Sequence, residues 1–582
     1  MTETTISQDN VGPATGTSKT FFGHPRGLVI LFFTEMWERF SYYGMRGLLI
    51  FYLTQHFLFS DERSTIMYGA YTALVYVMTI IGGSLADKYL GSRKAVTFGA
   101  ILLVLGHFGM TFEGNGSRQI MSLNGGEYQL TLDGRGGDAN QIIISDQGVS
   151  RISFSDGATN MLIAEPAVVG LPASIPTNSY TLRVETEQFY LNILYLSLGL
   201  IIAGVGFLKA NISTIVGALY GYGDARRDSG FTIFYMGINL GAFLSSLTCG
   251  ILGIVYGWKY GFGLAGIGML MGLVVFLKYQ DWLEGKAEPP NEKRLKEKVI
   301  GPLNIEHMCY ITGLGIIALS LFLMMNSHLV NQSYVGILGI LVFVFLISYA
   351  FVRCQGEERD RMLAGIYFIL AQIPFWALFE QAGSSLNLFT GRLVDRTMFG
   401  WSVPAPVFQS LNAMFIVMFA PLLAWLWISL DKRNLNPSTP VKFAMGVFLA
   451  GLGFLSLVAG MKTSGETGMT AVYFIFLIYW IHTMGELMVS PVGLSAVTKL
   501  APAHAVGMTM GAWFLFSGLS NYLAGVIAST TGAETIGGQL ADAASAKTTY
   551  AAVYTQVGYI AMGIAIAMLV ISPFIKRMMH NA

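Results

Sequence analysis

Long apolar segments, separated by short polar intervals, fill most of this chain. A membrane-spanning helix needs about 20 predominantly apolar residues, and most of these segments reach that length. The pattern therefore predicts an all-α polytopic membrane protein with about fourteen transmembrane helices. The predicted helices cover approximately residues 27–55, 66–88, 93–112, 188–210, 230–256, 260–280, 305–326, 333–353, 362–390, 407–430, 440–461, 470–498, 506–530 and 550–575.

The first predicted helix carries four charges in an otherwise apolar segment, namely Glu35, Glu38, Arg39 and Arg46. Each charge inside a membrane helix costs roughly 2.5–3.5 kcal/mol on insertion scales. At about 100° per residue, positions 35, 38, 39, 42 and 46 fall on one face, with Tyr43 at its edge. A helix with this pattern is typical of one that lines a polar cavity, which indicates transport.

Composition and charge agree with a membrane protein and set its orientation. Only 12% of the residues are charged, against about 25% in soluble domains. Of the 35 Lys and Arg residues, 22 fall in loops on the side of the N-terminus, 10 on the opposite side and 3 inside the membrane. The positive-inside rule then places both termini in the cytoplasm. The first residues hold no apolar segment before a cleavage site, so no removable signal peptide is expected.

Several classes of function are not indicated. The net charge of +1 and the lack of a basic tract give no sign of nucleic-acid binding. Cys249, Cys309 and Cys354 have no metal-ligand spacing and imply no disulfide framework. No P-loop, zinc motif or nucleophile elbow is present in the sequence, so we expect neither an ATP-driven pump nor an enzyme.

Two polar segments interrupt the apolar pattern. Residues 113–187 are rich in Gly, Ser, Asn and Asp, and short β-like runs begin at Tyr128, Gln141, Val149, Asn160 and Tyr180. Turn signals separate these runs, so the segment predicts a small β-rich insert on the outer side, periplasmic or extracellular. The insert is either an ordered decoration or a docking surface for an unknown partner. The second segment is a charged cytoplasmic linker, followed by two helices with almost no internal charge that we expect to face lipid.

A loop motif follows the second predicted helix, at 83–94 (GSLADKYLGSRK). Gly permits close helix approach, an acidic residue can cap or pair at the helix end, and basic residues hold the loop in the cytoplasm. The motif residues are Gly83, Asp87, Lys88, Gly91, Arg93 and Lys94. The motif resembles the loop signature of the major facilitator superfamily, which implies two six-helix bundles that rock around a central site.

Five further motifs narrow the resemblance: 35–44 (EMWERFSYYG), 206–213 (GFLKANIS), 234–241 (FYMGINLG), 375–389 (FWALFEQAGSSLNLF) and 485–495 (GELMVSPVGLS). Together they resemble the proton-dependent oligopeptide transporter family, over almost the whole chain except the insert. Ala210 departs from the family, where Pro commonly follows the lysine.

This resemblance implies the bacterial architecture, with two additional helices between the bundles. We expect a cytoplasmic tail (1–24), an N-terminal bundle (25–282) interrupted by the insert (113–187), a cytoplasmic linker (283–304), two extra helices (305–355) and a C-terminal bundle (356–582).

The intramembrane polar residues suit a zwitterionic ligand such as a short peptide. Such a ligand needs a cationic pole, an anionic pole and roomy walls. Candidates for the cationic pole are Arg39, Arg46 and Lys209, and for the anionic pole Glu486 and Glu380 with the amides of Asn239 and Asn412. Candidate wall residues are Tyr42, Tyr43, Tyr76, Trp376, Trp480 and Trp513, with Ser517 one turn from Trp513.

The family resemblance implies finer roles. It places Arg39 and Lys209 near the peptide carboxylate, Glu486 and Asn412 near the amino group, and Asn239 near the peptide bond. Tyr42, Tyr43, Tyr76 and Trp513 contact the ligand. Arg46 with Glu380, and Lys209 with Glu486, resemble ion pairs that close the outer gate. Glu35, Glu38 and Arg39 resemble the proton-coupling triad, and Glu380 is the favoured proton site.

Some alternatives stay open in the sequence. Glu35 either carries a proton or only orients Arg39, and His107 and His482 are either titrating groups or satisfied core residues.

The leading expectation is a proton-coupled symporter of di- and tripeptides in the bacterial inner membrane, functional as a monomer and driven by the proton gradient without a cofactor. The alternatives are a transporter of another small anion or zwitterion, nitrate-like or derived from an amino acid, and a membrane sensor that uses the insert.

Overall fold

The computed structural model describes residues 20–580 except 135–139, 222, 223, 225, 331–334, 465–467 and 503. Lys19 and Arg135, which enter the charge count above, lie outside the described residues. Fourteen long helices run through the described part of the chain. They are α1 (Gly27–Phe51), α2 (Asp61–Leu85), α3 (Ser92–Gly109), α4 (Gln188–Ala218), α5 (Arg227–Ile251), α6 (Trp258–Tyr279), α7 (Ile305–Met325), α8 (Val335–Arg353), α9 (Gly356–Phe379), α10 (Ser410–Asp431), α11 (Thr439–Lys462), α12 (Tyr473–Leu500), α13 (Val506–Ser529) and α14 (Ala543–Met578).

Twelve helices among the described residues are long and apolar enough to cross a membrane. The other two long helices are α1 and α3, whose charged residues lower their hydropathy. The predicted fold class, an all-α polytopic membrane protein with a small β-rich region, is confirmed.

The long helices pack in two groups, each around its own apolar core. In the first group α1 packs on α5 and α6, and α3 packs on α4. In the second group α11 packs on α12 and α14, and α9 packs on α13. Helix α7 lies against α4, and α8 lies against α9 and α13. We call α1–α6 the N-terminal bundle and α9–α14 the C-terminal bundle.

The two bundles meet along α2 and α13. Gly69 and Gly525 face each other there, and a Cβ atom added at Gly69 would lie 2.7 Å from Gly525 Cα. Because two backbones can approach this closely only where side chains are absent, the contact depends on the pair of glycines.

Several helix ends differ from the predicted bounds; α4 ends at Ala218 and not at 210, and α14 begins at Ala543 and not at 550. For two differences the structure shows the reason or the local change. Helix α2 begins at Asp61, five residues before the predicted start, because the Ser60 side chain accepts a hydrogen bond from the Arg63 amide at 3.3 Å and caps the charged first turn. The predicted helix 362–390 is divided. Helix α9 ends at Phe379, a 3₁₀ turn covers Glu380–Gly383, and a second short helix covers Ser385–Leu393.

The insert between α3 and α4 is a seven-stranded antiparallel sheet. Its strands are β1 (Ser117–Leu123), β2 (Gly126–Asp133), β3 (Asn140–Ile144), β4 (Val149–Phe154), β5 (Asn160–Ile163), β6 (Ser174–Pro176) and β7 (Thr181–Thr186), and their spatial order is 6-5-4-3-2-1-7. The five β-like runs correspond to β2, β3, β4, β5 and β7. Strands β1 and β6 escaped prediction because their sequences are short or polar and lack a regular alternation.

A further hairpin joins α13 to α14, in which Thr535–Ile536 pairs with Gln539–Leu540. We call it the C-terminal hairpin. It lies against the insert, whose apolar core contains Ile536. Other two-stranded pairings are Thr20–Phe21 with His24–Pro25, Lys298–Ile300 with Leu303–Asn304, Thr397–Met398 with Trp401–Ser402, and the parallel pair Val394–Asp395 with Thr470–Ala471. We call the side of the insert the insert end, and the opposite side the linker end.

At the linker end, the loop motif after α2 packs on the linker. Gly91 has φ +73°, and a Cβ atom there would run into the backbone of Glu288. Arg93 Nε lies 2.6 Å from a Glu288 carboxylate oxygen, and Lys94 Nζ lies 2.5 Å from Glu306. Asp87 and Lys88 are exposed. The basic residues of the motif therefore tie the N-terminal bundle to the linker and to the start of α7.

Candidate functional site

A cavity of about 700 Å³ lies between the two bundles, within the usual range for small-molecule sites. Residues of α1, α2, α4 and α5 line one side, and residues of α9, α10, α12 and α13 line the other. No described residue of α7 or α8 contributes to the lining. The lining extends towards the linker end as far as Thr214 on α4, which is exposed.

The polar face of α1 points into this cavity, but it is rotated from the predicted face. Glu35, Arg39, Tyr43 and Arg46 line the cavity, whereas Glu38 and Tyr42 do not. At about 100° per residue the observed face is centred roughly 40° from the predicted one, towards Tyr43. Tyr42 instead stacks on Tyr71 of α2, with 6.5 Å between ring centroids. The aromatic contact with α2 explains why Tyr42 turns away from the cavity.

Arg39 is the centre of a buried cluster of charges. Its Nε lies 2.7 Å from Glu35 Oε1 and 2.9 Å from Glu38 Oε2, and all three side chains are almost fully buried. Glu35 Oε2 and both carboxylate oxygens of Glu38 accept no hydrogen bond from the described residues. Two carboxylates therefore share one directly contacting guanidinium inside the membrane-spanning part of α1.

An ion pair between the bundles borders the cavity on the side of the insert end. Arg46 Nη2 of α1 donates to Glu380 Oε2, at the break after α9. Arg46 Nε also donates to the Tyr68 hydroxyl at 2.6 Å, and that hydroxyl sits where a Cβ of Gly383 would be. Both charged side chains are mostly buried, so removal of either would leave the other charge uncompensated. The expected Arg46–Glu380 partnership is present.

The other two charged poles lie on opposite sides of the cavity without contacting each other. Lys209 of α4 places Nζ 3.8 Å from the centroid of the Tyr76 ring. Glu486 of α12 accepts a hydrogen bond from Asn412 Nδ2 at 2.7 Å. The predicted ion pair between Lys209 and Glu486 does not form in this conformation, in which Lys209 lies over the Tyr76 ring and Glu486 accepts from Asn412. The cavity therefore presents a cation on the N-terminal bundle and an anion on the C-terminal bundle.

Aromatic and amide side chains complete the lining. All seven of the following predicted residues border the cavity: Tyr43, Tyr76, Trp376, Trp513, Asn239, Asn412 and Ser517. Asn239 Nδ2 donates to the Tyr235 carbonyl at 3.0 Å, and Ser517 Oγ donates to Gln372 at 3.3 Å. Trp480 is placed differently from its prediction. It is 39% exposed and contacts Phe419 on the outside of the bundle, because residue 480 falls on the lipid-facing side of α12.

Several lining residues escaped the sequence analysis. Tyr235 precedes Asn239 by one helical turn and Tyr479 precedes Glu486 by two, so the 3.6-residue period could have indicated both. His482 also borders the cavity and shares a hydrogen bond with the Ala450 carbonyl at 3.0 Å. Across the described residues, no cluster of three or more His, Cys, Asp or Glu has an arrangement that could hold a metal ion.

A second ion pair between the bundles lies nearer the insert end. Arg392 donates two hydrogen bonds to Asp61, at 2.6 and 2.9 Å, and both side chains are almost fully buried. The Ala533 amide donates to the same carboxylate at 3.2 Å. The sequence contains no spacing that relates residues this far apart. The bundles are therefore joined at two levels on the insert side of the cavity.

Comparisons with known proteins agree with this architecture. A family model described as the POT family (PTR2) matches residues 93–542. The chain is 34% identical over 578 residues to the "Uncharacterized transporter YclF" of Bacillus subtilis (strain 168), covering 97% of this chain and 96% of that protein. It is 31% identical over 532 residues to the "Peptide transporter YePEPT" of Yersinia enterocolitica, covering 88% of each.

A solved structure also matches over nearly the full length. The crystal structure of a mutant of the peptide transporter POT in complex with alafosfalin has a TM-score of 0.72 at 32% identity, covering 97% of each chain. The family match covers most of the chain and the fold agrees with that of a solved member, so the chain belongs to the proton-dependent oligopeptide transporter (POT) family.

Proposed function

We propose that this protein imports di- and tripeptides together with protons, by alternating access of the central cavity. The observation that carries the proposal is the separation of charge across that cavity, with Lys209 and Arg39 on one bundle and Glu486 on the other. A short peptide has the complementary separation between its carboxylate and its ammonium group. The names of the relatives, a peptide transporter among them, support the same substrate class.

In the proposed binding mode the peptide carboxylate meets Arg39 and Lys209, and the amino group meets Glu486 and Asn412. The amide of Asn239 bonds the peptide backbone. The walls are Tyr43, Tyr76, Trp376 and Trp513, with Ser517 beside them, and Tyr42 joins them only if α1 rotates during the cycle. Aromatic walls contact side chains without selecting one sequence, which suits a transporter of many peptides.

Proton coupling follows from competition for the same cations. Opening of the insert end must break the pair between Arg46 and Glu380, and a carboxylate without its cation in a desolvated site favours protonation. A protonated Glu380 no longer attracts Arg46, so that ion pair does not re-form while the proton is bound. Glu35, Glu38 and Arg39 form a second group in which a peptide carboxylate can displace a glutamate and favour its protonation. Proton and peptide thus bias one two-state equilibrium.

The same proposal sets the orientation. With both termini in the cytoplasm of a bacterial cell, the insert end is outside and the cavity faces inward in this conformation. The moving bodies are 25–282 and 356–582, and one chain suffices for the cycle. Entry of a proton with a neutral peptide moves positive charge inward, which the membrane potential favours by about 2.3 kcal/mol per charge per 100 mV.

Uptake into proteoliposomes tests the function. Labelled dialanine should accumulate in vesicles that are acid outside, and a protonophore should abolish the accumulation. At one proton per peptide, one pH unit corresponds to 1.36 kcal/mol and therefore to about tenfold accumulation. Single amino acids and nitrate serve as the competing solutes. If dialanine and other short peptides do not accumulate but one of those solutes does, then that solute and not a peptide is the substrate. Binding without any accumulation would indicate a receptor.

A further inference from the structure

The insert is fixed to the N-terminal bundle at its base. Strand β1 begins eight residues after α3 ends, and β7 ends two residues before α4 begins. These two root strands pair with each other along Ser117–Ser122 and Thr181–Thr186. The segment before β1 is held as well, since the Lys259 amide at the start of α6 donates to Glu113 at 2.9 Å. Paired roots leave the sheet no independent hinge, so it must move with the N-terminal bundle.

One face of the same sheet, which includes root strand β1, is docked on the C-terminal hairpin. Ile536 of the C-terminal hairpin is 2% exposed and belongs to the apolar core of the insert, together with Met121, Leu130 and Ile143. Hairpin residue Ala541 lies in the same core. An apolar side chain shared in this way is removed from water only while the hairpin and the sheet stay together.

Two hydrogen bonds, one part-buried and one buried, accompany the apolar contact. Gln141 Nε2 of β3 donates to the Ile536 carbonyl at 2.5 Å. The Gly537 amide donates to Oε1 of Gln119, whose side chain is buried on β1. Separation of the surfaces would leave these groups without their partners until water replaces them. The hairpin turn, with Gly537 at φ +59° and Gly538 at φ +85°, brings its backbone close to the sheet.

We propose that the insert is a strap that ties the two bundles together at the insert end and favours the conformation in which that end is closed. This inference rests on the proposed alternating-access cycle, in which the insert ends of the bundles must separate. The hairpin moves with α13 and α14, whereas the sheet moves with α3 and α4. Each opening of the insert end therefore withdraws Ile536 from the sheet and breaks both hydrogen bonds.

The strap acts in addition to the ion pairs beneath it. Arg46–Glu380 borders the cavity and responds to its ligand, but none of the described residues that form the apolar core and the two hydrogen bonds of the strap lines the cavity. The strap therefore shifts the balance between the two conformations by a constant amount, independent of peptide or proton.

Distance measurements between spin labels test the strap without any transported substrate. Tyr260 at the start of α6 and Tyr473 at the start of α12 are exposed at the insert end of different bundles. They are changed to Cys for labelling in full-length protein in nanodiscs, and the three native cysteines are buried. In this background Ile536→Ser should raise the ratio of open to closed distances about tenfold, equivalent to 1.4 kcal/mol.

Two further variants make the test decisive. Val149→Ser, at an exposed apolar position of β4 away from the hairpin, should leave the distance distribution unchanged. Replacement of 113–187 by a short Gly-Ser linker should shift the ratio of open to closed distances at least as far as Ile536→Ser does. If Ile536→Ser fails to fold, this deletion variant tests the strap in its place. An unchanged distribution in the deletion variant overturns the strap. Because no peptide is present, this outcome is independent of the uptake assay, whose failure would overturn the proposed substrate alone.

Discussion

At the scale of single residues, Glu380 lies at a break in its helix, where the 3₁₀ turn Glu380–Gly383 follows α9. Its carboxylate is almost fully buried and has Arg46 as its ion partner. A buried pair of this kind contributes little net stability, but the loss of one member leaves the other charge unmatched. The pair is therefore better suited to a switch than to a structural bond, which is the role that the proposed cycle gives it.

The substitution Glu380→Gln separates coupling from binding. Glutamine keeps the shape of the side chain but has no carboxylate to take up a proton. The proton gradient can therefore no longer drive the cycle through this site. We expect accumulation of dialanine to fall from about tenfold per pH unit to equilibration, while exchange of labelled for unlabelled peptide continues. Glu62→Gln, an exposed position at the start of α2, is the matched control. Unchanged concentrative uptake by Glu380→Gln would remove this residue from the coupling role.

At the scale of the elements, the order and approximate bounds of the helices could be predicted because each apolar segment matches the thickness of a membrane. The start of α2 could not, since Asp61, Glu62 and Arg63 read as a polar loop until the cap at Ser60 is seen. The predicted direction of the polar face of α1 agrees with the observed direction to about 40°. The remaining rotation depends on the contact of Tyr42 with Tyr71, which a helical period does not contain.

The glycine contact between α2 and α13 gives a prediction at this scale. Gly69→Val places a branched side chain against the backbone of Gly525, and overpacking of this kind typically costs 1–3 kcal/mol. The cost falls only on the conformation in which the insert ends are closed. We expect the ratio of open to closed distances between the labels at 260 and 473 to rise by about fivefold or more, with slower peptide uptake.

Gly315→Val is the matched control for Gly69→Val, because no atom lies within 4 Å of a Cβ added at Gly315 on α7. It should change neither the distances nor the uptake. A closed population that persists in Gly69→Val would show that α2 and α13 do not separate during the cycle.

At the scale of the whole molecule, the sequence predicted a cationic and an anionic pole, but it did not predict which ion pairs form in this conformation. Arg46 meets Glu380, whereas Lys209 and Glu486 have other neighbours. A single sequence contains the residues of every conformation, so spacing cannot tell which pairs form together. For the same reason the pairing of Asp61 with Arg392 and the contact between insert and hairpin became visible only in three dimensions.

Membrane orientation is a property of the whole molecule and can be tested directly. Ser179→Cys lies on the exposed surface of the insert, and Lys296→Cys lies on the exposed linker. In intact cells a membrane-impermeant maleimide should label the first variant at once and the second only after permeabilisation. The parent protein, with its three buried cysteines, should stay unlabelled in both conditions. Labelling in the reverse order would place the insert in the cytoplasm.

The shared core of the insert and the C-terminal hairpin also has a consequence for how the protein is made. Ile536 leaves the ribosome about 350 residues after the last strand of the insert, at a time when domains earlier in a chain usually have folded. In the proposed orientation the sheet crosses the membrane and waits with part of its apolar surface uncovered until α13 and α14 are inserted. The apolar core of the insert is therefore completed only when the two bundles pair. A chain truncated before the C-terminal hairpin would expose an apolar surface of the kind that quality-control proteases recognise.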